Sequence, residues 1–436
     1  MSLIDYPPIS YPTMLRMHQM FPGGALDNIP LQVTAQLQQI DLQSQVKPGD
    51  TVAIAVGSRG ITDIVPVVKT VITELKQLGA LPFVIPAMGS HGGASATGQA
   101  EILRHLGITE TTVGAPIRSS MEVVQVGEID FSNISIPVYL DQYAYNTDHI
   151  VVINRIKPHT DFSGAFGSGW RKMLCIGLGN HTGALLYHKV IASYGYANVL
   201  EPIAKKVLAT GKILCGIGIV ENAYQQTTAI GAASSETLLA TEVELLKEAK
   251  SYVAKLPFNE VDLLIVDELG KDISGSGMEP TVHGRLHCLS EPSPKTPTIK
   301  RIFVRDLTPA SEGNALGIGF ADFTTRRLVD KIDFKTTYIN CITGIDPEDG
   351  RIPITLETDQ EAIDAALNTI GFIEPDQAKV IWIKNTASLD SMLVSIAYQP
   401  DIDSQGHLVL DEILGELTFN AQGNLIEALS DSLASN

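Results

Sequence analysis

The sequence predicts an α/β protein of two lobes with mostly parallel sheets and an active site in the cleft between them. Three observations carry this expectation. Short β-branched runs alternate with stretches of helical apolar spacing. The alternation breaks at Leu256-Pro257-Phe258-Asn259 and then restarts. A chain of 436 residues also exceeds one ordinary core. The first domain is therefore drawn over residues 1–258 and the second over residues 259–436.

Within the first domain, Pro7, Pro8 and Pro12 favour an extended arm. TVAIAVGS, from Thr51, is a β-branched run ending in Gly and Ser, as suits a buried parallel strand. Asp63–Leu78 carries Val65, Val68, Val71, Ile72 and Leu75 at helical spacing. PFVIPA (82–87) is the next strand, Ala96–Leu106 the next helix, and HIVVIN (149–154) a third strand. A helix is expected from about Glu236 to Ala254. The second domain then shows strands at 261–270, 300–307 and 378–385 and helical patterns around Phe320–Val329 and Gln360–Ile370. The acidic, amphipathic end of the chain is expected to pack as a terminal helix.

Composition narrows the function. Apolar residues at 44% against 18% charged exclude general disorder. A formal charge of −18, with no basic window long enough to make a positive face, argues against nucleic acid. Cys175, Cys215, Cys288 and Cys341 are scattered without a CxxC pair, as expected of small buried apolar groups in a reducing compartment. The N-terminus lacks the basic start and apolar core of a signal peptide, and no apolar run approaches the roughly 20 residues of a membrane helix. The expectation is a soluble cytoplasmic protein.

Motifs collect just beyond three predicted strands: GSRG (57–60), GSHGG (89–93) and the stretch opening at Asn154. Ligands of open α/β sheets bind at those carboxyl ends. The stretch Asn154–Lys189 holds His159, His181 and His188, five basic residues and a run of glycines. His91 lies in a glycine cradle and, like His159 after Lys157-Pro158, is a candidate general acid or base. Against this stands an ordinary turn histidine bonded to local backbone. His181 and His188, seven apart, share one helical face, and one of them as a metal ligand competes evenly with a structural role. Neither shows zinc-protease spacing. Arg171 and Lys172 are expected as charge held at the edge of a pocket, and Arg59 as a clamp for a planar anion. Lys271, in ELGKDISGSGMEP, sits in a loop of anion-binding type. His18, His105, His149, His283, His287 and His407 are assigned structural roles.

Taken together, GSR, GSHGG, KPHTDFSGAFGSGWRK, His188 sixteen residues after Lys172, and ELGKDISGSGM resemble the lactate racemase family of nickel-pincer enzymes. RIFVRDLTPASEGNALGIGFADFTTRRLVDKID resembles a branch of that family with uncharacterised substrates. The resemblance implies an isomerase that racemises or epimerises a 2-hydroxy acid. Its cofactor would be a nickel-pincer nucleotide, the nickel complex of pyridinium-3,5-bisthiocarboxylic acid mononucleotide, supplied by cofactor-synthesis enzymes. By the same resemblance Lys172 anchors the cofactor and His188 binds nickel. His91 and His159 become the acid/base pair, with Arg59 and Lys271 holding the substrate carboxylate and polarising its oxygen. Gly57, Ser58, Ser90, Gly167 and Gly169 line the cofactor.

The residue types suit that chemistry. Proton removal from C2 would place a carbanion beside a carboxylate, whereas hydride removal leaves a planar keto acid that accepts hydride on either face. Each enantiomer then needs a base for its hydroxyl proton, hence two histidines. The chain departs from the lactate enzymes in having Gly92 after His91, where they have arginine, and in a longer loop between His159 and Lys172. Both changes reshape the pocket and point to a larger or more polar 2-hydroxy acid. The sequence leaves two other classes open: a hydrolase or lyase using zinc-bound water, and a nucleotide-binding protein without turnover.

Overall fold

The computed structural model describes residues 9–58, 60–131, 134–160, 162, 164–288 and 292–426. Its fold is α/β with mixed parallel and antiparallel sheets. The chain divides into two compact units, Pro22–Val253 and a second that joins Met1–Phe21 to Ala254–Asn436. The second unit therefore takes in the amino-terminal arm as well as the carboxyl-terminal half, a division the sequence boundary at 258/259 does not anticipate. The arm contributes a strand, β1 (Thr13–Gln19).

In the unit Pro22–Val253, β2 (Thr51–Val56), β3 (Leu81–Pro86), β6 (His149–Arg155), β7 (Ile213–Glu221) and β8 (Thr227–Ser234) form one sheet in the order β3-β2-β6-β7-β8. The strands β4 (Val123–Phe131) and β5 (Ile134–Asp141) make a separate antiparallel ribbon. Neighbours from β3 to β7 are parallel. The short 222–226 connection cannot cross over, so β8 returns antiparallel. Alternate residues of the central strands serve two cores: Ala53, Ala55 and Val152 enter one, and Val52, Ile54 and Val151 enter the other. Burial on both faces explains the unbroken apolar runs. The helix Ile64–Gln77 presents Val67, Val68, Val71, Ile72 and Leu75 to the second core, close to the predicted stripe.

The other unit carries β9 (Glu260–Leu269), β10 (Thr298–Leu307), β11 (Phe323–Thr325), β12 (Ile354–Leu356), β13 (Val380–Ile383), β14 (Ser391–Ser395) and β15 (Leu408–Glu416). With β1 they build an eight-stranded sheet, β12-β11-β10-β9-β13-β14-β1-β15. Its first five strands are parallel and its last four are linked antiparallel. The expectation of mostly parallel sheets is thus corrected for this unit, because the 384–390 connection is too short for a crossover.

Two local expectations fail here. The stretch around Phe320–Val329 is not one helix. Phe323–Thr325 pairs with β10, and only Arg326–Val329 is helical, capped by the Thr325 hydroxyl that accepts from the Leu328 N–H. Strand pairing overrides the helical pattern. The expected terminal helix is absent from the described residues, where β15 instead pairs with the open edge of β1. Residues beyond 426 lie outside the described residues. No helix among the described residues is long and apolar enough to cross a membrane.

Candidate active site

The aligned ends of β3, β2 and β6 gather the sequence motifs. Val56 of β2 stands level with Pro86 of β3 and Ile153 of β6, so the segments after them leave one edge of the sheet side by side. Ser58 and His91 meet there, the Ser58 hydroxyl and His91 Nδ1 sharing a short hydrogen bond. The cradle around His91 needs glycine, since Gly89, Gly92 and Gly93 have φ of 60°, 64° and 62°. Buried Gln99 secures the turn by donating to the carbonyls of Gly89 (2.9 Å) and His91 (3.3 Å). His91 itself is exposed. Arg59 lies outside the described residues.

After β6, Lys157 and Ser168 exchange two backbone hydrogen bonds of 2.9 Å and close a loop that carries His159. The chain then makes a helical turn, Trp170–Lys172, which continues into a π-helical turn, Met173–Gly177. This geometry brings Lys172 Nζ within 2.6 Å of His159 Nε2. A charged lysine at that distance donates, with the ring nitrogen accepting. His159 is buried and packs against the rings of Phe162 (4.6 Å) and Tyr196 (4.8 Å), which stack on each other at 4.4 Å. Neither aromatic ring is marked out by the sequence motifs.

Arg171 does not sit at a pocket edge as the sequence suggests. Its guanidinium is buried, donating to Glu201 Oε2 (2.6 Å), Glu242 Oε2 (2.6 Å) and the Leu239 carbonyl (3.1 Å). Glu242, with no exposed surface, also accepts from the Arg171 N–H at 3.2 Å, and the Trp170 N–H adjoins it. Burial pushes its carboxyl above the usual range, opposed by Arg171 and the two backbone donors. No local pattern announces these carboxylates, which reach Arg171 from helices Tyr196–Leu208 and Leu238–Ser251.

Several of the predicted cofactor-lining glycines have packing duties. A Cβ at Gly167 would lie 2.4 Å from the Lys157 carbonyl, and one at Gly169 would lie 2.2 Å from Glu242 Oε1 and 2.9 Å from Ile156. Gly57 is less constrained, with Asn154 Oδ1 at 3.1 Å. Gly169→Ala is therefore expected to lower the unfolding free energy by about 1–3 kcal/mol, the range of overpacked cores, as read by urea denaturation. Ser90 is half-buried, and its carbonyl accepts from the Ala94 N–H.

His181 and His188 both fall on the helix Asn180–Tyr194, His181 exposed and His188 half-buried. Lys271 belongs to the other unit, where its ammonium donates to the Gly275 carbonyl at 2.7 Å. Among the histidines given structural roles, His149 faces Asp50, His287 faces Asp349, and buried His283 is pushed down to about 3 by desolvation. Cys175, Cys215 and Cys341 are buried thiols, and burial raises that of Cys215 to about 12. Among the described residues, no group of three His, Cys, Asp or Glu side chains could hold a metal ion between them.

Residues 28–197 match the family described as the lactate racemase N-terminal domain, a span that includes every site residue named above except those in the other unit and the carboxylate Glu201 and Glu242. That stretch of the chain is thus similar to the lactate racemase N-terminal domain. Among solved structures, the lactate racemase apoprotein from Thermoanaerobacterium thermosaccharolyticum is similar with a TM-score of 0.51 and 14% identity, over 84% of this chain and 93% of that one. At that identity the likeness is one of fold. No curated protein sequence matches the chain.

Proposed function

We propose that this protein is a nickel-pincer nucleotide-dependent racemase or epimerase of a 2-hydroxy acid. The observation that carries the reading is the pairing of Lys172 with His159. An amine and an imidazole held 2.6 Å apart, with a second histidine bonded to Ser58 after another strand of the same sheet, would serve as the anchor and the two acid/base groups that such chemistry requires. The donor set fits the group as well. A pincer supplies its own sulfur and carbon donors, so one further histidine completes it, and His188 is assigned that place. A bare zinc ion would need a protein cage of three ligands or more, and the described residues contain none.

When bound, the nickel-pincer group would supply a reversible hydride acceptor. The chain's own residues would do the rest. His91 and His159 would each hold or release the proton of the substrate hydroxyl, one for each enantiomer. Ser58, bonded to His91 Nδ1, would fix that ring and leave Nε2 for the substrate. Lys172 would hold the cofactor, and its engagement there would release His159 Nε2 for proton transfer. Arg59 and Lys271 are assigned to the substrate carboxylate and oxygen, and Gly57, Ser58, Ser90, Gly167 and Gly169 to the cofactor's surroundings. A cytoplasmic site of action, with cofactor-synthesis enzymes as partners, completes the proposal.

Protein made together with those enzymes is expected to carry nickel and a sulfur-containing chromophore, and to invert one member of a 2-hydroxy-acid panel read by chiral chromatography. Loaded protein that leaves every member unchanged at C2 would overturn the assignment. Lys172→Ala is expected to lose the nickel and the chromophore on purification, checked by metal analysis and absorbance.

A further inference from the structure

We infer that Glu242 is a positioning residue for Lys172, setting the amine that faces His159 although it touches neither group. This rests on the reading of Lys172 and His159 as the working pair. The helical turn that opens at Trp170 is only Trp170–Lys172 before it widens into the π-helical turn. The first N–H groups of a helix have no partner within it, and a turn this short has few bonds of its own to hold its direction. Gly169, which precedes it, offers no side-chain cap. Glu242 takes that place from a distant helix, accepting from the Arg171 N–H with both carboxylate oxygens while it pairs with the Arg171 guanidinium.

The surroundings leave the carboxylate little choice of position. Glu242 is wholly buried, and the absent side chain of Gly169 makes the space for Oε1. Arg171 is held from the other side by Glu201, so its backbone and side chain are both tied down. Lys172 follows immediately in the chain. Its reach to His159 is thus fixed by the residue before it, and that residue is fixed by Glu242. Of Arg171, Glu201 bonds only the guanidinium, with Lys205 on its other oxygen, and therefore bears on the ion pair without capping the turn.

Cofactor-free, full-length protein provides the test. Modification of Lys172 by formaldehyde and a mild hydride reductant, resolved by peptide mass spectrometry, is compared with that of exposed Lys69. In the native protein Lys172 should react more slowly by about tenfold, the scale of one charge-assisted hydrogen bond. Glu242→Gln should remove most of that protection and shift the His159 ring signals in NMR spectra, whereas Glu201→Gln should leave both near native. A folded Glu242→Gln protein with native Lys172 reactivity would overturn the inference, as would equal loss of protection in the two variants. Hydrogen exchange of the unmodified protein gives an independent check should Glu242→Gln fail to fold. The Arg171 amide should rank among the slowest of its unit, and a loop-like rate there would also overturn it. Because none of these readouts needs the cofactor, failure of the nickel assignment would leave them unaffected.

Discussion

Alanine at His159 is expected to lower isomerisation by loaded enzyme by roughly 10²–10⁴-fold, the range for loss of a general acid/base. The same substitution at His91 should act comparably, because each histidine would serve one enantiomer and a complete inversion uses both. The two variants should nevertheless differ in a second measurement. His159 is buried against aromatic rings and bonded to Lys172, so its removal should also disturb the lysine's surroundings. His91 is exposed and bonded to Ser58, and its loss should leave Lys172 unaltered. Steady-state rates from both enantiomers of the best substrate check the first claim, and Lys172 modification rates check the second. Full activity in both variants would end the acid/base assignment.

Glu242→Ala should destabilise the protein by about 3–5 kcal/mol, the cost of stranding a buried charge when one partner of an ion pair is removed. Arg171 would keep Glu201 and the Leu239 carbonyl, but it would lose its most buried counter-charge, and its own backbone N–H would lose its acceptor. Replacing both partners by apolar residues, Arg171→Met with Glu242→Leu, should recover a large part of that loss, since no lone charge remains. Denaturant titrations of the two single variants and the double variant form the cycle that measures it. Additive losses would show that the pair is not coupled.

The parts of the fold that were legible in the sequence are those whose pattern is local. β2, β3 and β6 follow from β-branched runs buried on both faces, and the helix Ile64–Gln77 from its valine and isoleucine spacing. The placing of GSHGG and KPHTD after strands follows in turn, because their glycine and proline stop the strands. Segments whose state depends on a distant partner were not legible. Phe323–Thr325 is a strand because β10 offers it an edge, and β15 is a strand because β1 does. The same distinction runs through the site. His91, His159 and Lys172 stand out by motif, whereas Glu242 is one acidic residue of an amphipathic helix until the fold brings it to Arg171. Arg171 misled for the same reason, since a basic pair in a glycine-rich stretch reads as charge at a pocket edge until its carboxylates are known.

The place of β1 between β14 and β15 bears on how the polypeptide matures. The strand emerges from the ribosome long before either neighbour, since Ser391–Ser395 and Leu408–Glu416 lie far along the chain. Its backbone amides and carbonyls must await residues 391–416 before that side of the sheet can zip together. Such pairing is the most sequence-distant kind and closes slowly. Until those residues are made, the nascent chain thus carries an unsatisfied edge, on which a chaperone would have a long time to act.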